Sequence, residues 1–344
     1  MLYLDRNENQ YGPSPACYEA LRQANLEQLS LYSRTYTRGK KSDLSDRLSQ
    51  RTGIPEERIL LSYGSEDMLK QVVHCYLKSG DTILLPRQSW WYYKSVAGEV
   101  LGNQVEYPIH ERGDRFAYDA ADIVRLYEQH HPQLILIASP SNPTGNSIAR
   151  ENLERIIGHC TNAIIVLDEA YYGFTIVSPS HLRELLEQHQ RLAILRTFSK
   201  YYALAGLRIG YACIGTDLKR LVSYSARYLG YNQLTERIAL AALDSDEYYS
   251  RTARQIREDN EEYFALFSEL PGFVPYRTEA NFILVRHQGY DKKALQTALA
   301  NRRVIVKFLD DPGLENCIRI TTGTREQNLV VVQVFREAAS SLAV

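Results

Sequence analysis

Short, wholly apolar runs recur along the first two thirds of the chain and alternate with stretches whose apolar residues return every three or four positions. The runs at residues 59–62, 82–85, 134–138, 163–167, 192–195 and 209–214 are too short for helices and rich in Ile, Leu and Val, which predicts strands buried on both faces. Between them, residues 66–77 and 150–157 carry helical periodicity. This alternation predicts an α/β fold: a large domain built on a mostly parallel sheet covered by helices on both faces. Ligands of such sheets bind beyond the carboxyl ends of the strands.

The pattern changes further on. Residues 234–270 are charged and free of Gly and Pro, and predict helices that leave the sheet. After Pro271-Gly272 come predicted strands at 281–286, 304–307 and 317–320, a helix at 291–301 and a final helix, which together predict a smaller α+β domain. The expected division is an N-terminal segment, 1–30, joining the small domain, a large domain at 31–240, and the small C-terminal domain at 241–344. There is no internal repeat and no low-complexity linker, so the domains are expected to pack together.

Composition narrows the partners. With 40 Lys and Arg against 41 Asp and Glu in 344 residues, the formal net charge is −1, and nothing in it favours nucleic acid or an anionic membrane. The five cysteines (Cys17, Cys75, Cys160, Cys213, Cys317) are odd in number and scattered, which argues against a disulfide framework or structural zinc and for small buried hydrophobes. The N-terminus has no basic and apolar leader pattern, and no apolar run approaches the ~18 residues of a membrane span. A cytoplasmic protein with a small-molecule partner and no metal is expected.

Candidate chemistry centres on Lys200, which follows an apolar run and is flanked by the hydroxyls of Thr197 and Ser199. A lysine at a strand end, partly buried beside other cations, loses its proton easily enough to act as a nucleophile. Arg208, eight residues on, presents a planar fork that matches phosphate oxygens. An amine beside a phosphate clamp suggests pyridoxal phosphate. Asp168 ends the run Ala163-Ile-Ile-Val-Leu-Asp168, and a carboxylate there is suited to keep a pyridine nitrogen protonated. The same apolar run with Asp-Glu occurs in P-loop ATPases, but Gly39-Lys-Lys-Ser42 lacks the required upstream glycine, since position 34 is Arg.

The run Ser199-Lys-Tyr-Tyr-Ala-Leu-Ala-Gly-Leu-Arg-Ile-Gly210 resembles the fold-type I aminotransferases, and within them the histidinol-phosphate aminotransferase branch. The resemblance extends from Asp5 to about Arg336, and Trp90, Asn142, Asp168, Lys200 and Arg208 keep the family's order; it implies that the sheet of the large domain is of the seven-stranded type. It implies that Lys200 bonds pyridoxal 5′-phosphate and that Ser199, Thr197 and Arg208 hold it. Gly64-Ser65-Glu66 would cradle the phosphate at a helix N-terminus, although Glu66-Asp67 reverses the family's usual Asp-Glu order. Trp90, with Trp91 as its rival, would stack on the ring. Asn142 in Asn-Pro-Thr-Gly145 and Tyr171 would reach the ring's phenolic oxygen.

Further implied roles concern substrate and assembly. Tyr36 would cross a homodimer to the partner's cofactor phosphate, giving shared active sites. Arg319 would bind a substrate carboxylate, with Asn142 beside it. Tyr11 in Asn7-Glu-Asn-Gln-Tyr-Gly12 would lie over the substrate side chain. Lys307 stands where the branch usually has an arginine that grips substrate phosphate. The chain starts almost at the Asn-Glu-Asn motif, so part of the usual N-terminal substrate or dimer surface is expected to be missing. The implied activity is transfer of an amino group from a small amino donor to a 2-oxo acid, foremost histidinol phosphate with 2-oxoglutarate, as in histidine biosynthesis. The alternatives are an aromatic amino-acid aminotransferase, a phosphothreonine-type decarboxylase, and a cofactor-sensing regulator, for whose DNA-binding extension there is no room before Asp5.

Overall fold

The computed structural model describes residues 1–175 and 181–342, the side chains of Gln28 and Tyr36 excepted. In chain order the strands are β1 (Leu2–Leu4), β2 (Ile59–Ser62), β3 (Thr82–Pro86), β4 (Asn103–Tyr107), β5 (Ile109–Arg112), β6 (Arg115–Tyr118), β7 (Leu134–Ala138), β8 (Ile164–Asp168), β9 (Leu192–Thr197), β10 (Gly210–Ile214), β11 (Phe273–Tyr276), β12 (Phe282–His287), β13 (Val304–Phe308) and β14 (Cys317–Thr321). Seven of them form one sheet in the order β2-β10-β9-β8-β7-β3-β4, in which only β10 runs antiparallel to its neighbours.

The central strands are buried at every position and apolar up to their carboxyl ends because both faces are covered. Ile135, Ile137, Ile165, Leu167 and Ile194 feed one buried cluster. Their strand neighbours Leu134, Leu136, Ile164, Val166 and Leu195 feed another on the opposite face. All five cysteines are free and buried in these clusters or beside them.

A second sheet has the order β1-β13-β14-β12-β11 and its own buried cluster around Phe267, Ile283, Ile318 and Phe335. Strand β1, from the N-terminus, pairs parallel with β13, opposite Val304 to Val306. The chain then leaves β1 and crosses between the two sheets. This crossing, rather than any motif in it, is what brings residues 5–9 to the site.

Candidate active site

Three loops at the carboxyl ends of adjacent parallel strands converge on one cavity of about 720 Å3. Strand β7 leads into Asn142, β8 ends on Asp168, and β9 ends on Thr197, with Ser199 and Lys200 just beyond. Asp5, Trp90, Trp91, Tyr93, Tyr171, Arg208, Lys307 and Arg319 complete much of the wall. The segment that carries Ser65 and Glu66 arrives from the edge strand β2.

Lys200 donates from Nζ to the carbonyl of Arg6 at 2.8 Å. Burial, then the nearby positive charges of Arg319 and Arg208, push its ammonium down to about 8, with Glu8 acting the other way. A substantial fraction of the amine is therefore neutral near pH 7 to 8, which a nucleophile requires.

Asp168 is 3% exposed. Its Oδ2 accepts from the Tyr93 hydroxyl at 2.7 Å and its Oδ1 from the Ala170 N–H at 3.0 Å. Burial raises its carboxyl to about 6 in spite of these two donors. Such a group gains from a cation placed against it.

At the other end of the cavity the helix Ser65–Tyr76 begins on Gly64 with no side-chain cap, so its first N–H groups are free for an anion. Gly64 takes φ +89°, and a Cβ there would fall 2.8 Å from Arg208 Nη2. Arg208 Nη1 reaches Ser199 Oγ at 3.4 Å, and its Nη2 lies 3.6 Å from the Glu66 carboxylate. Thr197 Oγ1 donates to Ser199 Oγ at 2.9 Å.

Arg319 is nearly buried. Its Nη1 donates to Asn142 Oδ1 at 2.6 Å and its Nη2 to the Asp5 carbonyl, while its Nε has no partner among the described residues. On the adjacent strand, Lys307 is its direct register partner and is exposed.

Most of the residues singled out from the sequence thus line one cavity, with departures. Tyr11 does not line it: its hydroxyl donates to Asp259 Oδ2 at 2.5 Å, and its ring packs on the cluster of Tyr171, Phe174 and Phe282. A buried carboxylate partner holds it away from the cavity wall. Tyr36 falls in the turn Thr35–Arg38, and its side chain lies outside the described residues. Trp90 is half-buried against Tyr92 and Tyr93, whereas Trp91 is 67% exposed, and both line the cavity. Tyr93 and Asn7 were not anticipated. The spacing Trp90-x-x-Tyr93 was a usable signal for the first; the second opens the Asn7-Glu-Asn motif, which says nothing of its contact with Tyr171.

The family model for aminotransferase class I and II matches residues 1–335. Histidinol-phosphate aminotransferase of Ruminiclostridium cellulolyticum is 31% identical over 96% of this chain and 90% of its own length. That of Haloarcula marismortui is 33% identical over 98% and 89% respectively. Among solved structures, histidinol-phosphate aminotransferase from Sinorhizobium meliloti in complex with pyridoxal-5′-phosphate superposes with a TM-score of 0.87 at 22% identity, covering 99% of this chain and 92% of that one. The chain belongs to the aminotransferase class I and II family. It is a transaminase, and pyridoxal 5′-phosphate is its cofactor.

The residues present suit that group. A buried carboxyl raised to about 6, an amine lowered to about 8, and an uncapped helix end backed by Arg208 stand around one cavity. No helix among the described residues is long and apolar enough to cross a membrane.

Proposed function

We propose that the chain transfers the amino group between histidinol phosphate and 2-oxoglutarate. The observation that carries this reading is the cation pair Lys307–Arg319, side by side across β13 and β14 on the wall of the cavity that also holds Lys200. Two neighbouring cations, one buried and forked, the other an exposed point charge, suit a phosphate in one half-reaction and the carboxylates of an oxo acid in the other.

When bound, the cofactor supplies an electrophilic carbon for an amine and a ring that withdraws electrons from the substrate's α-carbon. Lys200 would hold it covalently and, once released, would take the proton from the substrate's α-carbon as general base and, as general acid, deliver it to the cofactor carbon that bonds the amine. Asp168 holds the proton on the ring nitrogen. Ser65, Ser199, Thr197, Arg208 and the backbone at Gly64 to Glu66 would hold the phosphate, Trp90 would cover the ring, and Asn142 and Tyr171 would address its phenolic oxygen. Arg319 anchors the substrate anion.

We also infer a cytoplasmic homodimer. Leu26, Leu29, Leu31, Tyr32, Tyr228 and Leu229 are exposed on one region of the surface, Tyr228 at 95%, and apolar side chains grouped in this way suit a face that a second copy covers. Tyr36, in the same segment, would enter the partner's site. Free, buried cysteines accord with a reducing compartment.

A second reading, an aromatic amino-acid aminotransferase, is favoured by the cluster of Trp90, Trp91 and Tyr93 on the cavity wall. Steady-state kinetics with 2-oxoglutarate separate the two. The expected result is a kcat/KM for histidinol phosphate at least ~10-fold above that for phenylalanine or tyrosine. The reverse ranking moves the assignment to the aromatic reading.

A further inference from the structure

Asn7 stands where the chain, having left β1, turns across the cavity. Its φ is 55°, a left-handed conformation that asparagine accepts more readily than most residues. It is 1% exposed, and every polar group it has is engaged. The backbone N–H donates to Thr321 Oγ1 at 2.9 Å, and the carbonyl accepts from Asn281 Nδ2 at 3.0 Å. Thr321 Oγ1 donates in turn to Asn7 Oδ1 at 3.4 Å. The amide is placed with its oxygen toward that hydroxyl and its Nδ2 toward Tyr171, and it donates to the Tyr171 hydroxyl oxygen at 2.7 Å.

A phenol has one hydrogen. With Asn7 donating to its oxygen, that hydrogen is free to point elsewhere, and Tyr171 has no other hydroxyl partner among the described residues. Tyr171 is 5% exposed and lines the cavity, so the open direction is inward. The charged groups around it are Arg319, Asp168 and, 6.0 Å from the ring centre, Lys200. The preceding residues reinforce the arrangement: the Asp5 carbonyl holds Arg319 and the Arg6 carbonyl holds Lys200, so three consecutive residues each fix one working side chain.

We propose that Asn7 is a positioning residue that aims the Tyr171 hydroxyl proton into the cavity, at the phenolic oxygen of the cofactor ring. This rests on the reading of Tyr171 given under the proposed function. A donor at that oxygen stabilises its negative form and so lowers the pH at which the bound cofactor takes up its proton.

The experiment is an absorbance titration of the cofactor-loaded enzyme, read as the pH midpoint of the bound chromophore. Asn7→Gly keeps the left-handed backbone and removes the amide. Asn7→Asp keeps the shape but turns the donor into an acceptor, which draws the Tyr171 proton to itself. Both are expected to raise the midpoint, by about one pH unit, as loss of a hydrogen bond to a charged oxygen does. Tyr171→Phe should raise it too, and Asn7→Gly added to Tyr171→Phe should add nothing. A midpoint shifted by Tyr171→Phe but left at the wild-type value by both Asn7 variants overturns the proposal and leaves Asn7 a structural residue. No shift in Tyr171→Phe overturns the reading of the tyrosine itself.

Discussion

Tyr93 donates a 2.7 Å hydrogen bond to Asp168, and both groups are buried at the floor of the cavity. The carboxyl sits at about 6 because burial outweighs this donor and the Ala170 N–H. Its state is therefore a balance, with the tyrosine on the side of the charged form.

Removing that hydroxyl tips the balance. In Tyr93→Phe the carboxylate loses one of two donors, and a hydrogen bond to a charged group is worth ~1.5–3 kcal/mol. The expected result is a fall in turnover of roughly 10- to 100-fold near pH 7 and a shift of the acidic limb of the kcat profile to higher pH. An unchanged acidic limb would show that the tyrosine only fills space.

Asp168 also carries a stability signature. A carboxyl raised from 3.8 to about 6 in the folded chain favours folding when protonated. That contribution is complete below pH ~4 and lost as pH rises through about 6, so at pH 7 to 8 the buried charge costs the cofactor-free fold up to ~3 kcal/mol. Asp168→Asn should raise the Tm of the cofactor-free protein at pH 7.5 and leave it little changed at pH 4, while cutting turnover far more than cofactor content. A lower Tm at pH 7.5 in this variant would contradict the argument.

Lys200 makes the complementary prediction. Its folded pKa of about 8 means that the neutral amine rises through pH 7 to 9, and covalent capture of pyridoxal phosphate should accelerate over that range and level off above it. Lys200→Ala should bind the cofactor without covalent attachment. Borohydride treatment followed by peptide mapping checks this: pyridoxyl on another lysine, with activity intact, removes Lys200 from the centre.

The apolar runs were legible because a two-sided sheet demands them: residues 59–62 and 134–138 match β2 and β7 as expected. Strand β4 was not, because Asn103-Gln-Val-Glu-Tyr107 is an edge strand whose first residues are exposed, and no apolar period survives there. The hairpin β5–β6 was hidden likewise, because His110, Glu111, Arg112 and Arg115 make up most of its residues near the turn and break any apolar alternation. In the site, residues at strand ends could be read, since strand end and side-chain chemistry are both local. Asn7 could not, because it is placed by β1 pairing with β13, three hundred residues away. The position of Tyr11 has the same origin: its partner Asp259 lies on the helix Asp246–Ser268.

Gly64 tests the anion end of the cavity. A methyl group at φ +89° is strained, and it would press on Arg208 Nη2, the far end of a flexible side chain that can move aside. Gly64→Ala is therefore expected to fold, with a loss of about 1–3 kcal/mol in stability, and to hold pyridoxal phosphate roughly 10-fold more weakly because Arg208 is displaced. Equilibrium dialysis against free cofactor measures the second effect. Unaltered affinity would place the phosphate away from Arg208.

Lys307 decides the substrate. It faces Arg319 across the β13–β14 ladder, yet it is exposed where Arg319 is nearly buried, so its charge is screened and its contribution to binding is modest. An ammonium pairs with phosphate as a point charge and lacks the two-pronged match of a guanidinium. Lys307→Ala should therefore raise KM for histidinol phosphate by about 10-fold, and that for phenylalanine, which carries no second anion, by less than about 3-fold. Lys307→Arg should lower KM for histidinol phosphate by a few fold and leave phenylalanine unaffected, because the fork adds a second hydrogen bond only where there is a phosphate to receive it. Parallel KM measurements on the two donors check both variants. Equal changes for the two donors would take Lys307 out of phosphate recognition and leave Arg319 as the sole anchor for substrate anions.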